Sequence, residues 1–136
     1  MGSIRQMIAA ARPGRSVVGW KLFQADRRAL LERFRPKYAR TIADHVTLAA
    51  MVAADTPLPA ETTVFVVGHV DDGQGVEALV VCVEGFSARP DGSTFHVTWS
   101  LAPGRQASES NAVLSASEWT WLEQPISIRL AGARFA

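Results

Sequence analysis

The stretch Asp-His-Val-Thr-Leu at residues 44–48 has a near-copy, Phe-His-Val-Thr-Trp, at residues 95–99. Polar and apolar residues alternate in both copies, and such alternation predicts a half-buried β-strand. Because residues two apart project from the same face of a strand, the histidine and threonine of each copy are expected side by side. These residues are His45 and Thr47 in the first copy, and His96 and Thr98 in the second. Two imidazoles and two hydroxyls can then converge on one small target.

The chain contains three histidines, and two of them have a threonine two positions later. The alternative interpretation is that both are ordinary sheet-surface histidines next to threonines, which favour strands. The repetition of the whole pattern favours a shared function. The third histidine, His69, lacks this threonine, and we expect it to be a structural or surface residue.

Paired His-x-Thr motifs on strands, each followed by an apolar residue, resemble the two-histidine phosphoesterase superfamily. The second half resembles the cyclic phosphodiesterase domain of fungal-type tRNA ligases and its small bacterial relatives. In the second half of this chain, the sequence His-Val-Thr-Trp-Ser at 96–100 is followed by a Pro-Gly loop and by Glu-Ser-Asn at 109–111. The resemblance implies an α+β, bilobal fold in which mostly antiparallel sheets flank a central cleft, with one motif on each side.

The resemblance also implies a reaction, the opening of an RNA 2′,3′-cyclic phosphate end to leave a 2′-phosphate. Since histidine titrates near neutrality, one ring can act as general base on water while the other acts as general acid. By analogy with the family, His96 is the candidate base and His45 the candidate acid, although the residues alone leave the order open. The hydroxyls of Thr47 and Thr98 can donate hydrogen bonds to phosphate oxygens.

Further contacts with substrate are expected around these motifs. The resemblance makes Ser110 and Asn111 candidate substrate-binding residues, while a helix N-cap is the alternative role for them. Arg40 and Arg105 are candidate neighbours of the phosphate. No cysteine or carboxylate cluster completes a zinc or magnesium ligand set around the histidines, so we expect neither a metal nor another cofactor.

Three alternatives to this function remain open. A non-catalytic module that binds RNA ends would use the histidines as contacts only, and its affinity would depend on salt. A two-histidine enzyme could instead act on 2′-5′ linkages or on an ADP-ribose cyclic phosphate. A purely structural partner protein is the third alternative.

Bulk composition sets outer limits on these interpretations. The 136 residues fit one domain, and 48% hydrophobic with 20% charged residues is typical of a globular protein. With one cysteine and no apolar run long enough for a membrane span, we expect a cytoplasmic monomer without an intrachain disulfide or a membrane partner. Residues 1–50 carry ten Lys/Arg against three Asp/Glu, and this basic segment could attract a polyanion such as RNA, while a solvated helix face is the alternative interpretation.

The periodicity predicts the order β-α-β-β-β-β-α-β. The strands are expected at 16–23, within 38–50, and at 62–70, 76–84, 94–101 and 126–130, and the helices at 27–34 and 108–116. Asp26 is the expected N-cap of the first helix, and Ser108 or Ser110 that of the second. A further short helix is expected at 4–12. Residues 62–101 should form three consecutive antiparallel strands.

Overall fold

The computed structural model describes residues 13–116 and 118–135. Within these ranges the elements are β1 (Pro13–Leu22), α1 (Gln24–Arg33), β2 (Arg40–Thr41), β3 (His45–Val52), β4 (Thr62–Asp71), β5 (Val76–Cys82), β6 (His96–Leu101), α2 (Glu109–Ala116) and β7 (Thr120–Phe135). The helix expected at 4–12 lies outside the described residues.

The strands form one sheet in the order β2-β6-β5-β4-β7-β1-β3, and every neighbouring pair is antiparallel. The predicted α+β class with antiparallel strands is therefore confirmed, as are the three consecutive strands β4, β5 and β6. The strands are joined in one continuous sheet rather than in two separate ones. Neither helix, in the part of the chain that the structure describes, is long and apolar enough to cross a membrane.

One stretch of chain joins the two ends of this sheet. β2 pairs with β6, and the next two backbone N–H groups continue that ladder, since Ile42 N donates to Trp99 O and Ala43 N to Thr98 O, both at 3.0 Å. Immediately afterwards β3 begins, and it pairs with β1 at the opposite end of the sheet. The sheet therefore curls, and the strands that carry the two His-x-Thr motifs approach one another.

The inside of the curl holds the main core. The apolar residues of both motifs (Val46, Leu48, Val97 and Trp99) lie there, together with residues from every other long strand and from α1. Its largest fully buried side chains are those of Trp20 and Trp99, and the Trp99 indole N–H donates to Phe34 O at 2.6 Å. Because neighbouring residues alternate between faces, burial of these apolar side chains turns the histidines and threonines of the motifs away from the core.

Three elements differ from their predicted form. Instead of one strand within residues 38–50, the structure has the short strand β2 and the separate strand β3, which extends to Val52. Helix α1 begins at Gln24, with Phe23 at the N-cap position and no side-chain cap, because the Asp26 carboxylate instead accepts the backbone N–H of Arg129 at 2.8 Å. Strand β7 extends over residues 120–135 rather than 126–130. Its last five residues, Ala-Gly-Ala-Arg-Phe at 131–135, include few that favour β-strands, and pairing with β1 keeps them extended.

Candidate active site

The structure brings all four motif residues to one cavity. His45, Thr47, His96 and Thr98 line a cleft of about 340 Å³ between β3 and β6. The other lining residues are Val17, Ala50, Arg89, Ala107, Ser108, Asn111 and Phe135. The convergence expected from the two motifs is therefore present, in a cleft large enough for a phosphoryl group and part of its sugar.

His45 stands at the point where the chain crosses from one end of the sheet to the other. Ala43, two residues earlier, is buried and takes a positive φ of 44°, and this turns the chain from β6 toward β1. The Nδ1 of His45 lies 3.1 Å from Asp44 Oδ2, and its ring packs against Phe135 at 4.4 Å between centroids. Since a carboxylate accepts a hydrogen bond, Nδ1 is the donor, and Nε2 is left for the cleft.

The backbone of β1 holds the first motif strand closely. Gly19 pairs with Thr47, and a Cβ at Gly19 would lie 2.2 Å from Val46 O. Only a residue without a side chain allows this approach of the two strands. Gly19 thereby fixes the depth at which His45 and Thr47 stand in the cleft.

His96 occupies the more enclosed side, with 8% of its surface exposed. Its Nδ1 lies 2.8 Å from Thr94 O, and because a carbonyl only accepts, Nδ1 carries the hydrogen and Nε2 is left free. Burial lowers the pKa of His96 to about 4, and the nearby positive charges of Arg89 and His45 act in the same direction. At neutral pH this imidazole is therefore uncharged, and its Nε2 can accept a proton.

The two threonines differ in their surroundings. Thr47 is half-buried, and its hydroxyl has no hydrogen-bond partner among the described residues. Thr98 is buried, and its Oγ1 lies 2.9 Å from Ser110 Oγ and 3.4 Å from Ala107 O. A ligand in the cleft can thus accept a hydrogen bond from Thr47 directly. Thr98 must first give up its hydrogen bond to Ala107 O or Ser110 Oγ before it can donate to a ligand.

The remaining candidates from the sequence separate into two pairs. Asn111 lines the cleft, and Ser110 lies behind Thr98, fully buried, so it supports that threonine instead of facing a ligand. Arg40 and Arg105 do not line the cleft. Arg40 donates to Arg105 O at 3.0 Å, while Arg105 pairs with Asp72 and Glu109 and donates to Gln74 O. Their guanidinium groups hold loops together and do not reach the cleft.

Arg89 was not singled out by the sequence, yet it lines the cleft beside His96. It lies in the loop between β5 and β6, in a Ser-Ala-Arg-Pro stretch without a recognisable motif. Proximity in sequence to the second His-x-Thr was the only available signal, and several other residues share it. The tertiary structure alone distinguishes Arg89 from the remaining arginines.

His69 lies outside the cleft, as the absence of a following threonine suggests. Its Nε2 is 2.8 Å from Glu77 Oε2, and its ring stacks on Phe34 at 6.0 Å between centroids. The described residues include no group of three or more His, Cys, Asp or Glu side chains placed to hold a metal ion. The side chains of described residues supply the cleft with two imidazoles, hydroxyls, an amide and a guanidinium.

Comparison of the chain with known proteins identifies no relative. No family model matches the chain, and neither a curated protein nor a solved structure matches it.

Proposed function

We propose that the protein is a phosphodiesterase that opens RNA 2′,3′-cyclic phosphate ends by general acid–base catalysis between His45 and His96. One observation carries the proposal. Both rings line the same cleft, and each has its Nδ1 engaged by a protein acceptor, so that each Nε2 is left for a ligand. Two imidazoles held in this way can transfer protons on opposite sides of one phosphorus atom, one at the attacking water and the other at the departing oxygen.

His96 acts as the general base. Its depressed pKa keeps Nε2 unprotonated at neutral pH, and a water molecule between this nitrogen and the phosphorus is activated by losing a proton to it. The hydrogen bond to Thr94 O fixes the tautomer and the direction of the ring. The positive charge that develops on His96 is partly disfavoured by Arg89, and the anionic phosphoryl group in the cleft offsets this effect.

His45 acts as the general acid. Its Nε2–H donates the proton to the departing ribose oxygen as the bond from that oxygen to phosphorus breaks and the bond from water to phosphorus forms. The carboxylate of Asp44, 3.1 Å from Nδ1, stabilises the imidazolium before the transfer and orients the ring. After the reaction His96 holds the proton taken from water, His45 is neutral, and exchange with solvent restores both.

The two threonines and the curled sheet complete the proposal. Thr47 and Thr98 donate to the non-bridging oxygens, where negative charge rises in the transition state. We regard the two ends of the sheet, β1-β3 and β6-β5, as the two lobes of a two-histidine phosphoesterase. The product in this proposal is a 2′-phosphate, as in the relatives that the motifs resemble.

A direct test incubates the protein, with EDTA present, with a short RNA that ends in a 2′,3′-cyclic phosphate. We expect conversion of the end group with undiminished turnover in EDTA, because no step in the proposal uses a metal. Treatment of the product with a 2′-specific phosphotransferase, which removes a 2′-phosphate and leaves a 3′-phosphate in place, identifies the end group. Binding without conversion would support the non-catalytic RNA-end module instead. Conversion that EDTA abolishes would contradict the mechanism.

A further inference from the structure

The side chain of Arg89 is unusual in combining deep burial with exposure of one edge to the cleft. The residue is 8% exposed, and it lines the cavity together with both catalytic histidines. It comes from the β5–β6 loop rather than from either motif strand. A cation placed there is costly unless an anion or a full set of acceptors stabilises it.

The protein supplies mostly neutral acceptors to this guanidinium. Nε donates to Ser93 Oγ at 2.6 Å, and Nη2 donates to Asn111 Oδ1 at 2.7 Å. The Asp91 carboxylate lies 3.8 Å from Nε, beyond hydrogen-bond distance, and itself accepts from the Ser93 hydroxyl. The positive charge is therefore held in a fixed orientation but is only partly offset. Burial correspondingly lowers the pKa of Arg89.

The remaining edge of the guanidinium has no partner among the described residues. Among the described residues, Nη1 donates to no protein acceptor. It is also not one of the fully buried side-chain atoms that lack a hydrogen-bond partner. Asn111 is itself fixed, because its Nδ2 donates to Ser108 O at 3.2 Å, and this directs Oδ1 toward Arg89. An arginine held on two sides presents its free N–H groups with little loss of side-chain entropy on binding.

We infer that Arg89 is the anion receptor of the cleft, that Asn111 is its positioning residue, and that the ligand it favours is a phosphate monoester dianion. The inference deepens the proposed function, since a monoester is the product of that reaction. A cyclic diester carries one negative charge, whereas a monoester carries nearly two at neutral pH. Arg89 therefore binds the product more tightly than the substrate, and the product inhibits the enzyme.

The test measures binding, not turnover. Inorganic phosphate and adenosine 2′-phosphate are titrated into wild-type protein and into Arg89→Gln, Arg89→Lys, Asn111→Ala and Arg129→Gln, with calorimetry as the readout. A charge-assisted hydrogen bond lost from the site should weaken the binding of both probes about 10- to 100-fold in Arg89→Gln. Arg89→Lys keeps a point charge without the fork and should lose less, and Asn111→Ala should also fall between wild type and Arg89→Gln.

Arg129→Gln is the matched control, because this arginine is exposed and its side chain, within the described part of the chain, contacts the exposed Glu61 and the ring of Phe23. Its affinity for both probes should equal that of wild type. Equal affinity in a folded Arg89→Gln variant, or no phosphate binding by wild type, would overturn the inference. If Arg89→Gln does not fold, unchanged affinity in Arg89→Lys would overturn it equally.

The outcomes separate this inference from the proposed function. Arg89-dependent phosphate binding by a protein that leaves cyclic ends intact would support the receptor and refute the phosphodiesterase. Hydrolysis of cyclic ends with phosphate binding indifferent to Arg89 would do the reverse.

Discussion

Replacing either His45 or His96 with alanine is expected to lower the turnover of an RNA 2′,3′-cyclic phosphate by at least about 10²-fold. Each variant removes one proton-transfer group, and no further histidine and no carboxylate line the cleft among the described residues. The measurement is steady-state hydrolysis at saturating substrate, so that a loss of binding does not imitate a loss of chemistry. Both rings act in one step. The loss of turnover in the double variant should therefore be far smaller than the product of the losses in the two single variants.

His69→Gln is the matched control for these variants. The glutamine amide can replace the imidazole N–H as a donor to Glu77, and the residue lies outside the cleft. Its turnover should remain close to that of wild type. Retained activity in folded His45→Ala or His96→Ala, or an equal loss in His69→Gln, would remove the basis for a paired acid and base.

Replacing Glu77 with alanine is expected to reduce the free energy of unfolding by roughly 3 kcal/mol or more, because three hydrogen-bond donors lose a buried acceptor and each costs about 1–3 kcal/mol when left unsatisfied. The Glu77 side chain is 1% exposed. It accepts from His69 Nε2 at 2.8 Å, from the Ser100 hydroxyl at 2.6 Å and from the Lys37 N–H at 3.0 Å. All three donors would be left without this acceptor, and a cavity would open beneath them. Chemical denaturation of variant and wild type measures the difference.

The pairing also makes the contribution of Glu77 depend on pH. Burial raises the pKa of Glu77, but the hydrogen bonds from His69, Ser100 and Lys37 N outweigh it and leave the pKa lowered overall. The stabilisation is therefore present above the ordinary pKa of a glutamate, and it is lost as the pH falls through the lowered value.

Glu61→Ala is the matched control for the stability measurement, since Glu61 is 56% exposed and its ion pair with Arg129 lies at the surface. We expect a change of no more than about 1 kcal/mol. A change of similar size in Glu77→Ala would contradict a structural role for the buried carboxylate. That role bears on the cleft, because Glu77 and Ser100 fix the segment that leads from α1 to β2 and His45.

The motif residues could be predicted from the sequence because local periodicity determines which side chains share a face of a strand. The alternation in residues 45–48 and 96–99 is sufficient to pair His45 with Thr47 and His96 with Thr98. It also predicts that Val46, Leu48, Val97 and Trp99 face the core, and all four are buried. These features need no knowledge of the rest of the fold.

The path that joins the two motifs could not be predicted, since it depends on pairings between distant strands. The placement of β7 between β4 and β1 puts β3 at one end of the sheet, and the residues of β7 give no signal of that position. The crossing at residues 42–45 depends on two backbone hydrogen bonds to β6 and on a positive φ at Ala43. Alanine is not a residue that indicates such a conformation.

The arginines illustrate the same limit. Arg40 and Arg105 are near the motifs in sequence, but carbonyl and carboxylate groups in neighbouring loops engage them. Arg89 reaches the cleft because Ser93 and Asn111 hold it there, and Asn111 is 22 residues away. Contacts of this kind between a loop and a distant helix produce no periodic pattern in the sequence, so they cannot be predicted from it.

The ring resonances of the three histidines show whether His45 and His96 face one ligand. Adenosine 2′-phosphate is titrated into ¹⁵N-histidine-labelled protein, and the pH dependence of each ring is recorded with and without ligand. We expect His45 and His96 to shift with the same dissociation constant, His69 to remain unchanged, and the pKa of His96, about 4 in the free protein, to rise when the anion binds. Shifts confined to one of the two rings, or different dissociation constants for them, would contradict the claim.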